Sequence, residues 1–120
     1  MKTTTVVIGA SENPERYAYK ATRMLKQFNH HVVPVGLKSG AIDGIAIVTD
    51  KAPIENVETV SLYVGPANQP AWLDYVLSLH PKRIILNPGT EGGIIAVEAQ
   101  KQGIEVIEAC TLVLLSTGQY

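Results

Sequence analysis

The sequence predicts a single α/β domain in which helices cover both faces of a mainly parallel sheet of about five strands. Short runs rich in β-branched residues alternate with segments of helical periodicity along the whole chain. The runs are almost continuously apolar, which is typical of parallel strands that are covered on both faces. No repeat or low-complexity linker divides the 120 residues, so residues 1–120 are expected to form one domain. Because crossovers between parallel strands are right-handed, the expected arrangement is a doubly wound, Rossmann-like sheet.

In the first half of the chain, residues 4–8 and residues 31–35 predict two strands. Between them a helix is predicted from about Asn13, because Asn is a good cap and Pro14 suits the first helical position. A brief strand over residues 45–48 and a loop over residues 50–56 are expected to follow. The spacing i, i+4, i+7, i+8 and i+11 predicts a buried helix face formed by Tyr17, Ala21, Met24, Leu25 and Phe28.

In the second half, strands are predicted over residues 59–64, 83–86 and 104–107. Asn68 is expected to cap one helix and Thr90 another, and Gly103 can adopt the left-handed conformation that ends a helix. Residues 112–115 are expected to form a short strand or a turn. The predicted buried stripe of the helix after Asn68 consists of Trp72, Leu73, Val76 and Leu77.

The composition excludes several classes of protein. Lys and Arg number 10 against 11 Asp and Glu, so no broad basic face is expected to bind nucleic acid or anionic lipid. No apolar run approaches the roughly 18 residues that span a bilayer, and no secretory signal follows Met1. Cys110 is the single cysteine, which rules out an internal disulfide and favours a reducing compartment. A cytoplasmic protein without a membrane span is therefore expected. No His, Cys, Asp or Glu pair has metal-ligand spacing on one element, so no metal is predicted.

Four turns follow predicted strands, beginning at Gly9, Val35, Gly65 and Asn87. The carboxyl ends of parallel strands lie at one edge of a sheet, where ligands bind. The first turn is the most informative, because Gly9 has no side chain and Ala10 a small one. Backbone N–H groups can therefore approach a phosphate closely, and the next helix points the positive end of its dipole at the same place. The sequence predicts a nucleotide-cofactor site at this edge.

The type of nucleotide is indicated by what the turns contain. A dinucleotide fingerprint would have further glycines where Ser11 and Pro14 stand, and an acidic residue at the end of the second strand. Neither is present, which argues against NAD. No Gly-Lys-Ser/Thr motif follows the first strand, so a P-loop is absent. Lys38, just beyond the second strand, favours a phosphate on the ribose. Coenzyme A has both a pyrophosphate and a ribose phosphate.

Several blocks of the sequence resemble one protein family. They are Val-Ile-Gly-Ala-Ser-x-Asn-Pro-x-Arg-Tyr at residues 7–17, Val-x-Pro-Val at 32–35, Ile-Leu-Asn-Pro-Gly-Thr-Glu at 85–91, and the segment 104–110. In this order they resemble the small single-domain CoA-binding proteins, which are related to the CoA-binding domain of the succinyl-CoA synthetase α subunit. The resemblance covers nearly the whole chain. Two arginines that are common in the family are missing, one near residue 65 and one at Ala109.

The resemblance implies a cofactor site for coenzyme A. The first turn would cradle the pyrophosphate, the segment after the second strand would border the adenosine and its 3′-phosphate, and the turn after residue 86 would lie towards the pantetheine arm. Arg16 would give a charge-assisted contact. The implied site residues are Gly9, Ala10, Ser11, Asn13, Pro14, Arg16, Tyr17, Pro34, Val35, Gly36, Lys38, Val64, Gly65, Pro66, Asn87, Pro88 and Gly89.

The expected function is a CoA- or acyl-CoA-binding module, regulatory in role, without catalysis of its own. The phosphorylated histidine of the synthetase belongs to a further domain that this sequence does not contain. His30, His31 and His80 are expected on the surface, away from the turns. One alternative is a small NAD(P)-dependent enzyme or redox sensor that uses Cys110. Another is an interaction domain with a vestigial pocket, in which an unidentified partner subunit supplies the chemistry.

Overall fold

The structure is a computed structural model and describes residues 3–120. Strands and helices alternate along the chain, and one 3₁₀-helix precedes the second α-helix. In chain order the elements are β1 (Thr4–Ile8), α1 (Tyr17–Gln27), β2 (His31–Val35), β3 (Ala41–Ile42), β4 (Ile45–Ala46), β5 (Val57–Leu62), the 3₁₀-helix (Pro66–Ala71), α2 (Leu73–Ser78), β6 (Arg83–Leu86), α3 (Ile94–Lys101), β7 (Glu105–Glu108) and α4 (Thr111–Ser116).

Five strands form one parallel sheet in the order β2-β1-β5-β6-β7. The chain runs from β1 outwards to β2, and later from β5 outwards to β7 at the other end. The order therefore reverses between β1 and β5, which is the topological switch point where ligands bind in doubly wound sheets. The predicted α/β class with a mainly parallel sheet of about five strands is confirmed.

The segment between β2 and β5 is more elaborate than the predicted brief strand. β3 and β4 form a small antiparallel hairpin, and its turn residues Asp43 and Gly44 have φ of 49° and 81°. Beyond the hairpin, Val48 makes one parallel bridge with Val35. The Val48 N–H donates to the Pro34 carbonyl at 2.9 Å. Val48 thus lies where a sixth strand would extend the sheet beyond β2, as in the Rossmann strand order.

The sheet separates two apolar cores. On one face Val6, Val60 and Ile84 are fully buried under α2 and α3. On the other face Val7 is buried together with Leu25 of α1 and Leu115 of α4. Helices therefore cover both faces, which is the doubly wound arrangement.

The predicted start and buried face of the first helix need correction. Asn13 and Pro14 lie in a turn before α1, because the Asn13 side chain accepts the Glu15 N–H at 3.0 Å and the Asn13 carbonyl accepts the Arg16 N–H at 3.0 Å. This local hydrogen bonding competes with helix formation. Tyr17 was expected in the core but is 66% exposed. Phe28 is likewise 47% exposed, and the buried face consists of Ala18, Ala21, Thr22 and Leu25.

Three other predicted elements also differ. Asn68 lies within a 3₁₀-helix and caps no α-helix; of the predicted stripe, Trp72 and Val76 are buried whereas Leu73 and Leu77 are half-buried. Thr90 precedes α3 by a loop, and Gly93 is the N-cap. Residues 112–115 belong to α4 and form neither a strand nor a turn. Gly103 does have φ of 79° directly after α3, as predicted.

Candidate cofactor-binding site

The turn after β1 contacts the end of β2. The N–H groups of Gly9 and Ala10 both donate to the Val35 carbonyl, each at 2.9 Å. Gly36 is buried against this turn, because a Cβ placed on it would lie 2.3 Å from the Ala10 carbonyl oxygen. The turn after β1 and the end of β2 therefore pack directly against each other. Only glycine fits at residue 36.

The turns after β1, β5 and β6 also meet. Gly9 has φ of 95°, and a Cβ on it would lie 3.0 Å from the Tyr63 carbonyl oxygen, which follows β5. A Cβ on Gly65 would have the Gly89 carbonyl oxygen at 3.8 Å as its nearest neighbour. All four predicted turns thus lie together at the carboxyl-end edge of the sheet, as expected for parallel strands.

One part of the predicted phosphate cradle is wrong. Gly9 and Ala10 do not present bare N–H groups, since both are bonded to Val35. Within residues 3–120, no hydrogen bond occupies the N–H groups of Ser11 and Glu12. The backbone donors that this turn can offer to an anion therefore lie one step further along the loop than predicted.

Charged side chains surround this loop. Arg16 and Lys38 are exposed, and neither makes an ion pair within the described residues. The Glu12 carboxylate accepts the Ala41 N–H at 3.3 Å, and a Cβ on Gly40 would lie 2.6 Å from the same oxygen. Glu12 therefore joins the β1 turn to the segment that carries Lys38. The arrangement leaves two cations available to phosphate groups on the β1–β2 side of the edge.

Asn87 is buried and its side chain is fully engaged. Its Nδ2 donates to the Leu62 carbonyl at 2.9 Å and to the Ser61 hydroxyl at 3.0 Å. Its Oδ1 accepts the Thr111 N–H at 2.8 Å, and the hydroxyls of Ser61 and Thr111 lie 2.7 Å apart. Asn87 therefore joins the ends of β5 and β6 to the start of α4. Both Nδ2 hydrogens are therefore used within the protein, and the solvent-exposed part of this turn consists of Pro88 and Gly89.

Gln69 is a second buried amide, and the sequence analysis did not single it out. Its Nε2 donates to the carbonyls of Val64 and Thr90, at 3.0 and 2.7 Å. Its Oε1 accepts the Ile95 N–H at 3.2 Å, which satisfies a free donor in the first turn of α3. Gly93 leaves room for it, because a Cβ there would lie 2.0 Å from Gln69 Oε1. The side chain thereby holds the turns after β5 and β6 in fixed relation.

Tyr63 lies just beyond β5 on the α1–α4 face of the sheet. Burial raises the pKa of its phenol to about 12. The hydroxyl lies near those of Ser61 and Thr111, but it has no hydrogen-bond partner within residues 3–120. It is the one buried side-chain polar atom in this part of the chain that is left unsatisfied.

The remaining predicted residues divide into a buried and an exposed set. Pro34, Val35 and Val64 are buried, so they contribute to this edge of the sheet through their backbone atoms. Asn13, Pro14, Tyr17 and Pro66 are exposed at the rim.

His30, His31 and His80 are exposed, as predicted, and Cys110 is half-buried where β7 ends. Within residues 3–120, no three His, Cys, Asp or Glu side chains come together as metal ligands. The helices in this part of the chain are all too short for a membrane span.

The sequence of residues 3–116 matches the family described as a CoA binding domain. The match contains the whole sheet and all four turns. The chain belongs to this CoA-binding domain family. No protein with a curated description matches the sequence.

Solved structures of other proteins have the same fold. A crystal structure of an uncharacterised protein is 42% identical in sequence, with a TM-score of 0.94, and the alignment covers 100% of this chain and 99% of that one. A Thermus thermophilus protein is 23% identical with a TM-score of 0.85, over 99% of this chain and 91% of its own. A conserved hypothetical protein from Pyrococcus furiosus is 22% identical with a TM-score of 0.80, over 92% and 97%. The CoA-binding domain fold is therefore retained where most residues differ.

Proposed function

We propose that the protein binds coenzyme A or an acyl-CoA across the carboxyl-end edge of its sheet, as a regulatory module without catalysis of its own. The observation that carries this proposal is that the matched family domain contains all four turns that meet at this edge. The single cysteine of the sequence supports a cytoplasmic location as part of the proposal.

The phosphate groups are proposed to lie on the β2–β1 side of the edge. Ser11 and Glu12 have N–H groups without partners there, and Arg16 and Lys38 are exposed and unpaired within the described residues. Backbone amides and a few cations are sufficient to hold a pyrophosphate. We assign the 3′-phosphate to Lys38, because this lysine follows β2, the outermost strand on that side.

The pantetheine arm is proposed to run from the β1 turn across the ends of β5 and β6. Neighbouring strands lie about 4.8 Å apart, so the distance from β1 to β6 is roughly 10 Å, which an extended pantetheine arm can span. Gly65 and Gly89 lie on this path, and neither has a side chain that would obstruct it.

Two features support a binding role rather than catalysis. The three histidines belong to the elements near the opposite edge, at the start of β2 and after α2. The polar groups of Asn87, Ser61 and Thr111 bond to one another. No activated nucleophile beside a base is evident at the edge within residues 3–120.

Calorimetric titration with CoA and with 3′-dephospho-CoA tests the binding. We expect saturable heat at one CoA per chain, and weaker binding of dephospho-CoA. Lys38→Ala should weaken CoA about three- to tenfold and leave dephospho-CoA unchanged, because an exposed charge contact contributes little more than about 1 kcal/mol. Lys82→Ala, at an exposed lysine on the opposite edge, is the matched control. Absence of heat from millimolar CoA would overturn the proposal.

The non-catalytic part has a separate test. Acetyl-CoA and succinyl-CoA are incubated with the protein, and released CoA thiol is measured with a disulfide reagent. We expect the release rate to equal that of buffer. Steady release that depends on protein concentration would show that the protein is an enzyme.

A further inference from the structure

A groove lies between α1 and α4, and it borders the rim of the proposed cofactor site at Pro14. It is a shallow depression of about 520 Å³, with Lys20, Arg23 and Met24 on the α1 side and Leu112 and Val113 on the α4 side. We call it the α1–α4 groove. Both helices follow strands of the same sheet and begin at its carboxyl-end edge, so they lie side by side on one face.

One wall of the α1–α4 groove is cationic. The helix α1 contains no Asp or Glu, and none of the described residues that line the groove is acidic. Among the described residues, neither Lys20 nor Arg23 makes an ion pair, and Lys20 stands 5.2 Å from the centre of the exposed Tyr17 ring. The third cation of α1, Lys26, pairs instead with Asp43 of the β3–β4 turn at 3.7 Å. Two positive charges therefore remain available along this wall.

The other wall is apolar and partly open to solvent. On the α4 side Val113 is 54% exposed and Leu112 is half-buried, and Met24 adds a half-buried apolar side chain from the α1 side. Apolar side chains at this level of exposure gain free energy when a partner covers them, at roughly 25 cal/mol per Å². The groove thus combines a mainly apolar wall on the α4 side with a cationic wall on the α1 side.

We infer that the α1–α4 groove docks an acidic amphipathic helix of a partner protein. Two neighbouring helices present a concave seam into which a third helix packs at about 8–10 Å between axes. Apolar residues at i, i+3, i+4 and i+7 of the incoming helix would cover Met24, Leu112 and Val113. Its Asp and Glu residues would lie beside Lys20 and Arg23.

A protein helix fits this surface better than the other anionic partners. The surface is a shallow depression with two unpaired cations, whereas a membrane requires an apolar face with many cations. Nucleic acid requires a wide basic face, and the formal net charge of the chain is −1. The charges that the groove offers are few and lie on one side, which matches the polar flank of a single helix.

Fluorescence anisotropy with a defined probe tests the inference. The probe is a labelled three-heptad helical peptide with Leu at the a and d positions and Glu elsewhere, and its counterpart has Lys in place of Glu. We expect saturable binding of the Glu peptide and at least about tenfold weaker binding of the Lys peptide. Arg23→Glu and Val113→Asp should each weaken the Glu peptide about tenfold or more. Lys82→Glu is the matched control and should have no effect.

Each other outcome identifies a different explanation. Equal binding of both peptides, or binding that survives Arg23→Glu, would overturn the inference. Binding of 1:3 phosphatidylglycerol:phosphatidylcholine vesicles that Arg23→Glu abolishes, without peptide binding, would assign the groove to a membrane. Circular dichroism and thermal unfolding confirm that each variant folds. Arg23→Glu should leave the affinity for CoA unchanged. Loss of CoA binding and loss of peptide docking can therefore be distinguished.

Discussion

At the scale of single residues, close approach of backbone segments shapes the carboxyl-end edge of the sheet. Gly36 is in contact with the Ala10 carbonyl, and Gly9 with the Tyr63 carbonyl. Interiors are packed to near-crystalline density, so an added methyl group at such a contact has to displace backbone. Gly65 is different, because among residues 3–120 a Cβ on it would meet only the Gly89 carbonyl within 4 Å, at 3.8 Å.

Gly36→Ala is expected to destabilise the protein by about 1–3 kcal/mol, because its Cβ would overlap the Ala10 carbonyl oxygen. Gly65→Ala is the matched control, since φ of −64° suits alanine and the space is open. Urea denaturation measures both. Equal stabilities of the two variants would contradict the packing of the β1 turn against the end of β2.

The raised pKa of Tyr63 predicts that the free energy of unfolding depends on pH in the alkaline range. Its pKa is raised from 10.0 to about 12, so between these values the unfolded state loses the phenol proton first. The free energy of unfolding should therefore be intact below pH 10 and fall above it, by up to about 1.4 kcal/mol per pH unit, until pH 12.

Tyr63→Phe isolates this effect from the other tyrosines. Removing an unsatisfied buried hydroxyl should leave stability at pH 7 unchanged or raise it by up to about 1 kcal/mol. The variant should also lose less stability than the parent between pH 8 and pH 11, measured by urea denaturation. A variant that is clearly less stable at pH 7 would show that the hydroxyl has a partner.

At the scale of elements, two buried side-chain amides cap helix starts and connect separate elements. Asn87 joins β5, β6 and α4, and Gln69 joins the turns after β5 and β6 to the first turn of α3. Neither helix α3 nor helix α4 has a capping side chain at its own N-cap residue. At each of these helix starts one free N–H group, that of Ile95 or of Thr111, is therefore satisfied from a distant part of the chain.

Asn87→Asp tests this role with little change of volume. The carboxylate cannot donate to the Leu62 carbonyl or the Ser61 hydroxyl, and it is buried with acceptors around it. We expect a loss of at least about 2 kcal/mol in the free energy of unfolding. Asn68→Asp, at an exposed residue of the 3₁₀-helix, is the control and should change it by less than about 0.5 kcal/mol. Thermal unfolding of both variants makes the comparison, and a stable Asn87→Asp protein would contradict it.

At the scale of the whole molecule, Tyr120 ties together parts that are far apart in sequence. Its hydroxyl lies 2.5 Å from that of Thr5 in β1, and its carbonyl accepts from Arg83 of β6 at 3.1 Å. The Arg83 guanidinium also lies 4.7 Å from the centre of the Tyr120 ring, and the His30 ring packs against it at 4.8 Å. This contact closes the α1–α4 face of the sheet near the edge opposite the four turns.

Tyr120→Ala is expected to reduce the free energy of unfolding by roughly 2–3 kcal/mol, because ring packing, a cation–π contact and the hydrogen bond to the Thr5 hydroxyl are lost together. Tyr17→Ala, at a residue that is 66% exposed, should cost less than about 0.5 kcal/mol. Chemical denaturation distinguishes the two. Similar losses would mean that the packing at Tyr120 contributes little.

The alternation of strands and helices determined the fold class and the placing of the four turns. These follow from local patterns, since β-branched runs and glycine or proline after them are properties of neighbouring residues. The helix starts were harder to predict. Asn13 and Thr90 have good capping side chains, yet Asn13 forms a local turn and the hydroxyl of Thr90 bonds to the Asn87 carbonyl at 2.8 Å. A capping residue does not reveal which N–H it will bind.

The sequence by itself determined a parallel α/β domain whose strand ends carry small or rigid residues, and through its blocks of resemblance a CoA-binding family. Only the tertiary structure decided which donors those turns leave available, because Gly9 and Ala10 are bonded to a carbonyl on the next strand. It also decided that Tyr17 faces solvent, and that Gln69 and Asn87 are buried cross-links. The physical reason is the same in each case. A hydrogen bond or a buried face depends on partners that are distant in sequence, and these come together only when the sheet has assembled.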